Sequence, residues 1–372
     1  MKFRVELRDT AFNIKEIYDE EYFDLNWSYS AIGGCGEFSF KLPRKRFEER
    51  ALRGDFNVRI YGRDDSSDSY SLWYQGLITN KVPAIQGKTE TIEVSGHGYI
   101  NQLSRIYLNN ITYTSQEVSL IVKDLLDNYI TTDTNVTYTA SDIEVTSFTV
   151  DSIQFNDDAL SAIEKLADIV GGIEYGVDRN RNFFFKARAT TVGIRYYLGK
   201  NIRTFEDNQD FSEIINQVYV QGAQVGGTYF QFGPYDDVNS QVKYNLRTDV
   251  RQNSSVTTST VAAQLATAIL DEFSEVTRKA RADLMNVTAL IEGTTPIPLV
   301  NEISRKIKYG QKKYGTFLYS GLVNRKLARI NYSLTNNGSL NVSVDLDKLR
   351  PAISEQISQL EYNLEQTRSA SL

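Results

Sequence analysis

The sequence predicts a mainly β, α+β chain, with two similar antiparallel β-domains flanking a small α/β unit and a helix closing the C-terminal end. Three observations carry that reading. Aromatics make up 12% of the 372 residues, with 23 Tyr and 18 Phe, and such rings, with Val, Ile and Thr, suit the pleated, half-buried surface of a strand. Apolar and polar residues alternate in the opening and closing parts of the chain, and helical spacing appears between them. One strand pattern recurs near the end of each strand-rich region. The units read from these shifts are 1-100, 101-212 and 213-350, with the helix at 351-372.

Taken in order, Phe3, Val5 and Leu7 alternate with Arg4, Glu6 and Arg8, the pattern of a sheet with one wet face. Gly33-Gly34-Cys35-Gly36 reads as a turn, after which Phe38, Phe40 and Leu42 alternate until Pro43 closes the strand. Val58 and Ile60, then Tyr74 to Ile78 and Ile92 to Val94, complete the first unit. The acidic, Ser-rich stretch from Asp64 to Ser69 has no apolar residue to bury and reads as a hairpin tip or loop.

The period then changes. Val118, Ile121, Val122, Leu125, Leu126 and Tyr129 follow helical spacing, with Thr114 and Glu117 placed as a capping box. A second helix is expected over 157–170, its stripe formed by Leu160, Ile163, Leu166 and Val170. Asp157 and Asp158 favour its positive end, and Gly171-Gly172 stop it. Strands at Ile173 to Val177 and Phe183 to Phe185 flank the turn-rich run from Asp178 to Asn182.

Strands return at Val218 and Val220 and again at Leu284 to Ile291, interrupted by a helix with Val261, Leu265, Ile269, Phe273 and Val276 on one face. Leu340, Val342, Val344 and Leu346 form the closing strand. After Pro351, Ile353, Ile357, Leu360 and Leu364 are spaced four, three and four residues apart, the seam of a short coiled coil or a partner-docking helix.

The recurring pattern is Leu72-Trp73-Tyr74-Gln75-Gly76-Leu77-Ile78-Thr79-Asn80-Lys81, matched by Phe317-Leu318-Tyr319-Ser320-Gly321-Leu322-Val323-Asn324-Arg325-Lys326. Tyr74 and Gly76 correspond to Tyr319 and Gly321. A duplicated β-domain would give each chain two related edges, so that three chains close a ring of pseudo-six-fold symmetry. Chance similarity between Tyr-rich strands is the other explanation.

Composition limits the chemistry. The net charge is −6 and the pI about 5.2, so no global attraction to nucleic acid or anionic membrane exists. A lone Cys35 excludes an intrachain disulfide. No apolar run approaches the roughly 18 residues of a membrane span, and since the opening residues already alternate as a strand, no signal peptide is expected. His97 is the only histidine and sits in a strand-end Gly-His-Gly, so the Cys/His part of a zinc set is missing. No catalytic residue, cofactor or metal site is expected. The pairs Glu20-Glu21, Glu48-Glu49, Asp157-Asp158 and Asp236-Asp237 leave a peptidoglycan hydrolase open on composition, although surface loops and helix starts explain each of them. The basic clusters Arg44-Lys45-Arg46 and Arg305-Lys306, Lys308 and Lys312-Lys313 read as subunit contacts or solvated faces.

Four segments together resemble a known family. They are Gly36-Glu37-Phe38-Ser39-Phe40-Lys41-Leu42-Pro43; Glu93-Val94-Ser95-Gly96-His97-Gly98-Tyr99 with Leu103; the helix of Leu160, Ile163, Leu166 and Ala167 with its Gly-Gly and aromatic hairpin; and Asn216-Gln217-Val218-Tyr219-Val220-Gln221-Gly222. In this order they resemble the tail-hub, or baseplate-hub, proteins of bacteriophages. The resemblance implies two tube-like β-barrel domains per subunit and a homotrimer at the base of the tail tube. It implies a tail-tube or distal tail protein on one side, a tail-tip or spike protein on the other, and DNA passing without specific binding. The chain would then be a virion component, assembled in the host bacterial cytoplasm. A carbohydrate- or receptor-binding tail-tip protein, with Tyr rings and Trp73 stacking on sugars, is the alternative reading.

Overall fold

The computed structural model describes residues 2–43, 54–63, 69–87, 89–188, 192–197, 202–225, 228–252, 258–285, 306–310, 323–335 and 338–347. Among them the fold is mainly β, with antiparallel ladders and few helices. The first unit supplies β1 (Lys2–Arg8), β2 (Ile14–Tyr18), β3 (Phe23–Ser30), β4 (Gly33–Pro43), β5 (Asn57–Arg63), β6 (Ser71–Gln86) and β7 (Thr89–His97). Alternation decides which face is inside: Phe3, Val5 and Leu7 of β1, and Phe38, Phe40 and Leu42 of β4, all reach the core. Most of the stretch from Asp64 to Ser69 lies outside the described residues.

The glycine run behaves differently from its expectation as a turn. The turn is at Ala31 and Ile32, and Gly33 to Gly36 already belong to β4. The reason is a close crossing. Gly33 and Gly34 pair in parallel with Gly176 and Val177, and a Cβ on Gly34 would come within 2.2 Å of the Val177 carbonyl oxygen. The glycines let the sheet dock against the middle unit at backbone contact.

That middle unit holds β8 (Ile111–Glu117), α1 (Val118–Leu125), β9 (Thr149–Phe155), α2 (Ala159–Val170), β10 (Ile173–Val177) and β11 (Phe183–Ala187) around its own core. Asp158, read as an acid at the positive end of this helix, is its cap and accepts from Ser161 N at 3.0 Å. The capping box proposed for α1 is corrected. Thr114 sits in β8 opposite Ser152, because the strand runs right up to the helix, and Glu117 itself is the cap, accepting from Leu120 N at 3.2 Å. Burial pushes the Glu117 carboxyl up, but hydrogen bonds from Ser119 and Thr146 outweigh burial and hold it below its usual range. We expect Glu117→Ala to cost about 1 kcal/mol at neutral pH. A depressed carboxylate stabilises above its unfolded pKa and loses that contribution as pH falls through the folded one. Urea unfolding across a pH series will therefore show native and variant converging in acid.

The chain then returns to the large sheet with β12 (Val192–Tyr197) and β13 (Ile202–Asp210). A second excursion follows: β14 (Gln217–Val225), β15 (Thr228–Asp236), α3 (Val238–Tyr244), β16 (Thr248–Gln252) and α4 (Ser259–Phe273). Here β14, flanked by β15 and β16, packs Val218 and Val220 on Leu265 and Ile269 of α4. Finally β17 (Thr277–Leu284), β18 (Lys306–Gly310), β19 (Val323–Leu334) and β20 (Leu340–Asp347) rejoin the sheet. Of the strand read at Leu284 to Ile291, Leu284 is the last residue of β17, and residues 286–291 lie outside the described ones.

One sheet takes strands from both β-rich regions. Its main path runs β13-β17-β20-β19-β3-β4-β7-β6-β5-β1-β2, with β18 and β12 branching from β19. Among the described residues this path is open and no barrel closes. The two regions meet where β19 pairs antiparallel with β3, from Arg329 opposite Ser30 to Leu334 opposite Leu25. The strand order also repeats. The early region reads β3-β4-β7-β6-β5-β1, and the late region reads β13-β17-β20-β19-β18-β12 in the same chain order. Corresponding neighbours are antiparallel in both, except that β1 meets β5 antiparallel and β12 meets β18 in parallel.

Candidate functional site

Where the two regions join, the inner face of the sheet is aromatic and the outer face is polar. Inside, the Trp27 ring lies parallel to that of Tyr332, 5.1 Å away, with Phe3 and Trp73 against it. Outside, three adjacent strands carry the same tripeptide pattern: Asn26-Trp27-Ser28, Asn331-Tyr332-Ser333 and Asn341-Val342-Ser343. The registers set each Asn opposite a Ser: Asn331 faces Ser28 across one ladder and Ser343 across the other, and Ser333 faces Asn26 and Asn341. A period of two makes this follow from the aromatic side: burying Trp27 and Tyr332 forces their neighbours outward.

This polar face lines a cavity of about 650 Å³ that reaches from Arg203 on β13 to His97 at the end of β7. Its charges are mixed. Arg203, Arg281 and Arg329 stand with Glu37 and Asp283. The Arg329 Nη2 donates to Ser28 Oγ at 3.0 Å and lies 4.0 Å from a Glu37 oxygen. Arg281 Nη2 donates to Ser343 Oγ at 3.3 Å, and Asn331 Nδ2 donates to Asp345 Oδ2 at 3.0 Å.

The singled-out residues fall elsewhere. Tyr74 is buried in the core, its hydroxyl donating to the Gly36 carbonyl at 2.6 Å. Gly76 lies beside it, where a Cβ would meet the His97 carbonyl oxygen at 2.6 Å. Their counterparts Tyr319 and Gly321 lie outside the described residues, as do Ile353, Ile357, Leu360 and Leu364. Cys35 is buried, and burial pushes its thiol up to about 12, far from the range of a thiolate nucleophile. Of the acid pairs, Asp158 and Asp237 cap helices, Asp236 accepts from the side chains of Gln217 and Gln241, and Glu48-Glu49 lies outside the described residues. Trp73 is in the core, edge-on to Phe3, and offers no stacking face to a sugar.

Among the described residues, no group of three or more His, Cys, Asp and Glu side chains could hold a metal. In the same residues, no helix is long and apolar enough to cross a membrane.

No protein-family model matches the sequence, and no curated protein matches it either. Solved structures do. The 43 kDa tail protein of prophage MuSo2 from Shewanella oneidensis is 14% identical, with a TM-score of 0.66 over 94% of this chain and 98% of that one. A tail protein from Neisseria meningitidis is 10% identical, with a TM-score of 0.62 over 96% and 99%. The prophage tail protein gp18 from Listeria monocytogenes is 12% identical, with a TM-score of 0.52 over 98% and 100%. The chain has the fold of these proteins along nearly its whole length.

Proposed function

Starting from a fold shared with phage tail proteins, we propose that this chain is a non-enzymatic structural subunit of a phage tail hub. Three copies form a ring with pseudo-six-fold symmetry that joins the tail tube to the tail tip and surrounds the DNA channel. The observation that carries the proposal is the repeated strand order within one sheet. Each repeat is one tube-like unit, the first within 1-100 and the second within 213-350 with β12 and β13 added, and the α/β unit inserts between them. Six similar units from three chains match a six-fold tube to a three-fold tip.

The polar face, with its Asn and Ser ladders, faces the channel in this reading. The ladder side chains are short and uncharged, and Arg281 and Arg329 beside them already donate to serine hydroxyls, which suits DNA passing without specific binding. The segment 351-372, with Ile353, Ile357, Leu360 and Leu364, is the contact for a tail-tip or spike protein. The particle is a virion component assembled in the host bacterial cytoplasm.

Light scattering after size-exclusion chromatography tests the assembly. The expected mass is three times the 42.2 kDa of the chain. A strictly monomeric species at about 100 micromolar would remove the hub reading.

A further inference from the structure

The repeat inside the chain also says how one copy meets the next. Within a chain, β3 has two neighbours, β4 and β19. Its counterpart in the late region, β13, pairs with β17 and, among the described residues, has no strand on its other edge. The counterpart of β19 is β6. Both strands carry a register shift, between Leu327 and Arg329 in β19 and between Ile78 and Asn80 in β6. In β19 the stretch after the shift is the one that β3 covers. In β6 the corresponding stretch, Asn80 to Gln86, pairs with β7 and, among the described residues, with no strand on its other edge, where the ladder to β5 ends at Leu77 and Ile78 bonds to the backbone of Asp55 and Phe56.

The stretch is also apolar where a solvated edge is expected to be polar. Val82 is 48% exposed and Ile85 65% exposed. A long edge with exposed apolar side chains invites another strand. The sequence of β13 suits it: Phe205 is half-buried beside the exposed Thr204 and Glu206. Pro83 removes one donor, so the ladder rests on the residues either side of it.

We infer that β13 of one copy pairs antiparallel with Asn80 to Gln86 of β6 in the next, repeating between chains the β3–β19 contact made within each chain. The two strands match in strand order and register shift, independently of the Tyr74 and Tyr319 segments. Such a contact is heterologous, and three of them alternate with three internal ones to close a ring. The sheet and its polar face then continue around the channel, with Arg203 at each seam. This inference rests on the ring proposed above and adds the surface that forms it.

Cysteine pairs test it in the full chain, where Cys35 is buried and gives little background. Val82→Cys or Ile85→Cys is combined with Thr204→Cys or Glu206→Cys, since opposed residues of an antiparallel ladder lie within disulfide reach. Mild oxidation is expected to give covalent dimers and trimers on a non-reducing gel for at least one pair, and none for single substitutions. Independently, Val82→Asp with Ile85→Asp is expected to run as a monomer where the native chain is a trimer, with an unchanged thermal melt. A native trimer that cross-links with no pair and survives the aspartates overturns this interface and leaves the ring standing. A native chain that is itself monomeric overturns both.

Discussion

Replacing Trp27 with alanine is expected to lower the unfolding free energy by about 3–5 kcal/mol, the range for deleting a large buried aromatic ring. Trp27 is opposite Tyr332 in the ladder that joins β3 to β19, and Phe3 and Trp73 close around it. It therefore holds together strands from the two ends of the chain, and its loss leaves a cavity that neither half can collapse into alone. The indole Nε1 is buried with no hydrogen-bond partner among the described residues. Trp27→Phe keeps much of the ring packing and removes that unsatisfied donor, so it is expected to cost about 1 kcal/mol or less. Urea unfolding of the two variants separates the causes. Equal losses would mean that ring packing at the junction is not what stabilises it.

Gly34→Ala is expected to be comparably severe, by about 3 kcal/mol or more, for two reasons that add. Its φ is +75°, a conformation that costs an alanine about 1–2 kcal/mol. The new methyl would also stand 2.2 Å from the Val177 carbonyl oxygen, a backbone atom that cannot swing aside. Gly33→Ala isolates the first reason, since its φ is +100° but nothing lies within 4 Å of its added Cβ. We expect it to cost only the backbone share. Hydrogen exchange in β10 and β11 should rise strongly for Gly34→Ala and little for Gly33→Ala, because only the former forces the middle unit off the sheet. The same exchange rates in both variants would refute the close-crossing account.

Much of the fold is legible in the sequence because burial follows period. Phe3, Val5 and Leu7, or Val342, Val344 and Leu346, can be assigned to the core from alternation alone, and they are buried. The aromatic content likewise announces a sheet core, and Trp27, Trp73, Tyr74 and Tyr332 are in it. Pairing between distant strands carries no local signal. Nothing near Ser30 points to Arg329, so the joining of the two regions through β3 and β19 could not be read.

The glycine run was ambiguous for a related reason. A turn and a close crossing both need residues without a Cβ, and only Gly176, far along the chain, distinguishes them. The capping position shows the limit of a motif: Thr114 and Glu117 have the right spacing, but β8 occupies the first of them. Of the candidate site, the three Asn-X-Ser tripeptides were visible as sequence and could have been noticed. Their alignment depends on register, and so does the gathering of Arg203, Arg281 and Arg329 along one cavity.

The most direct test of the hub proposal is an electron cryomicroscopy reconstruction of the assembled oligomer. It is expected to show three copies around a channel, six related sheet halves, and Asn26, Asn331 and Asn341 turned toward the lumen. A ring that presents those asparagines to the outside, or particles with no ring, would contradict it.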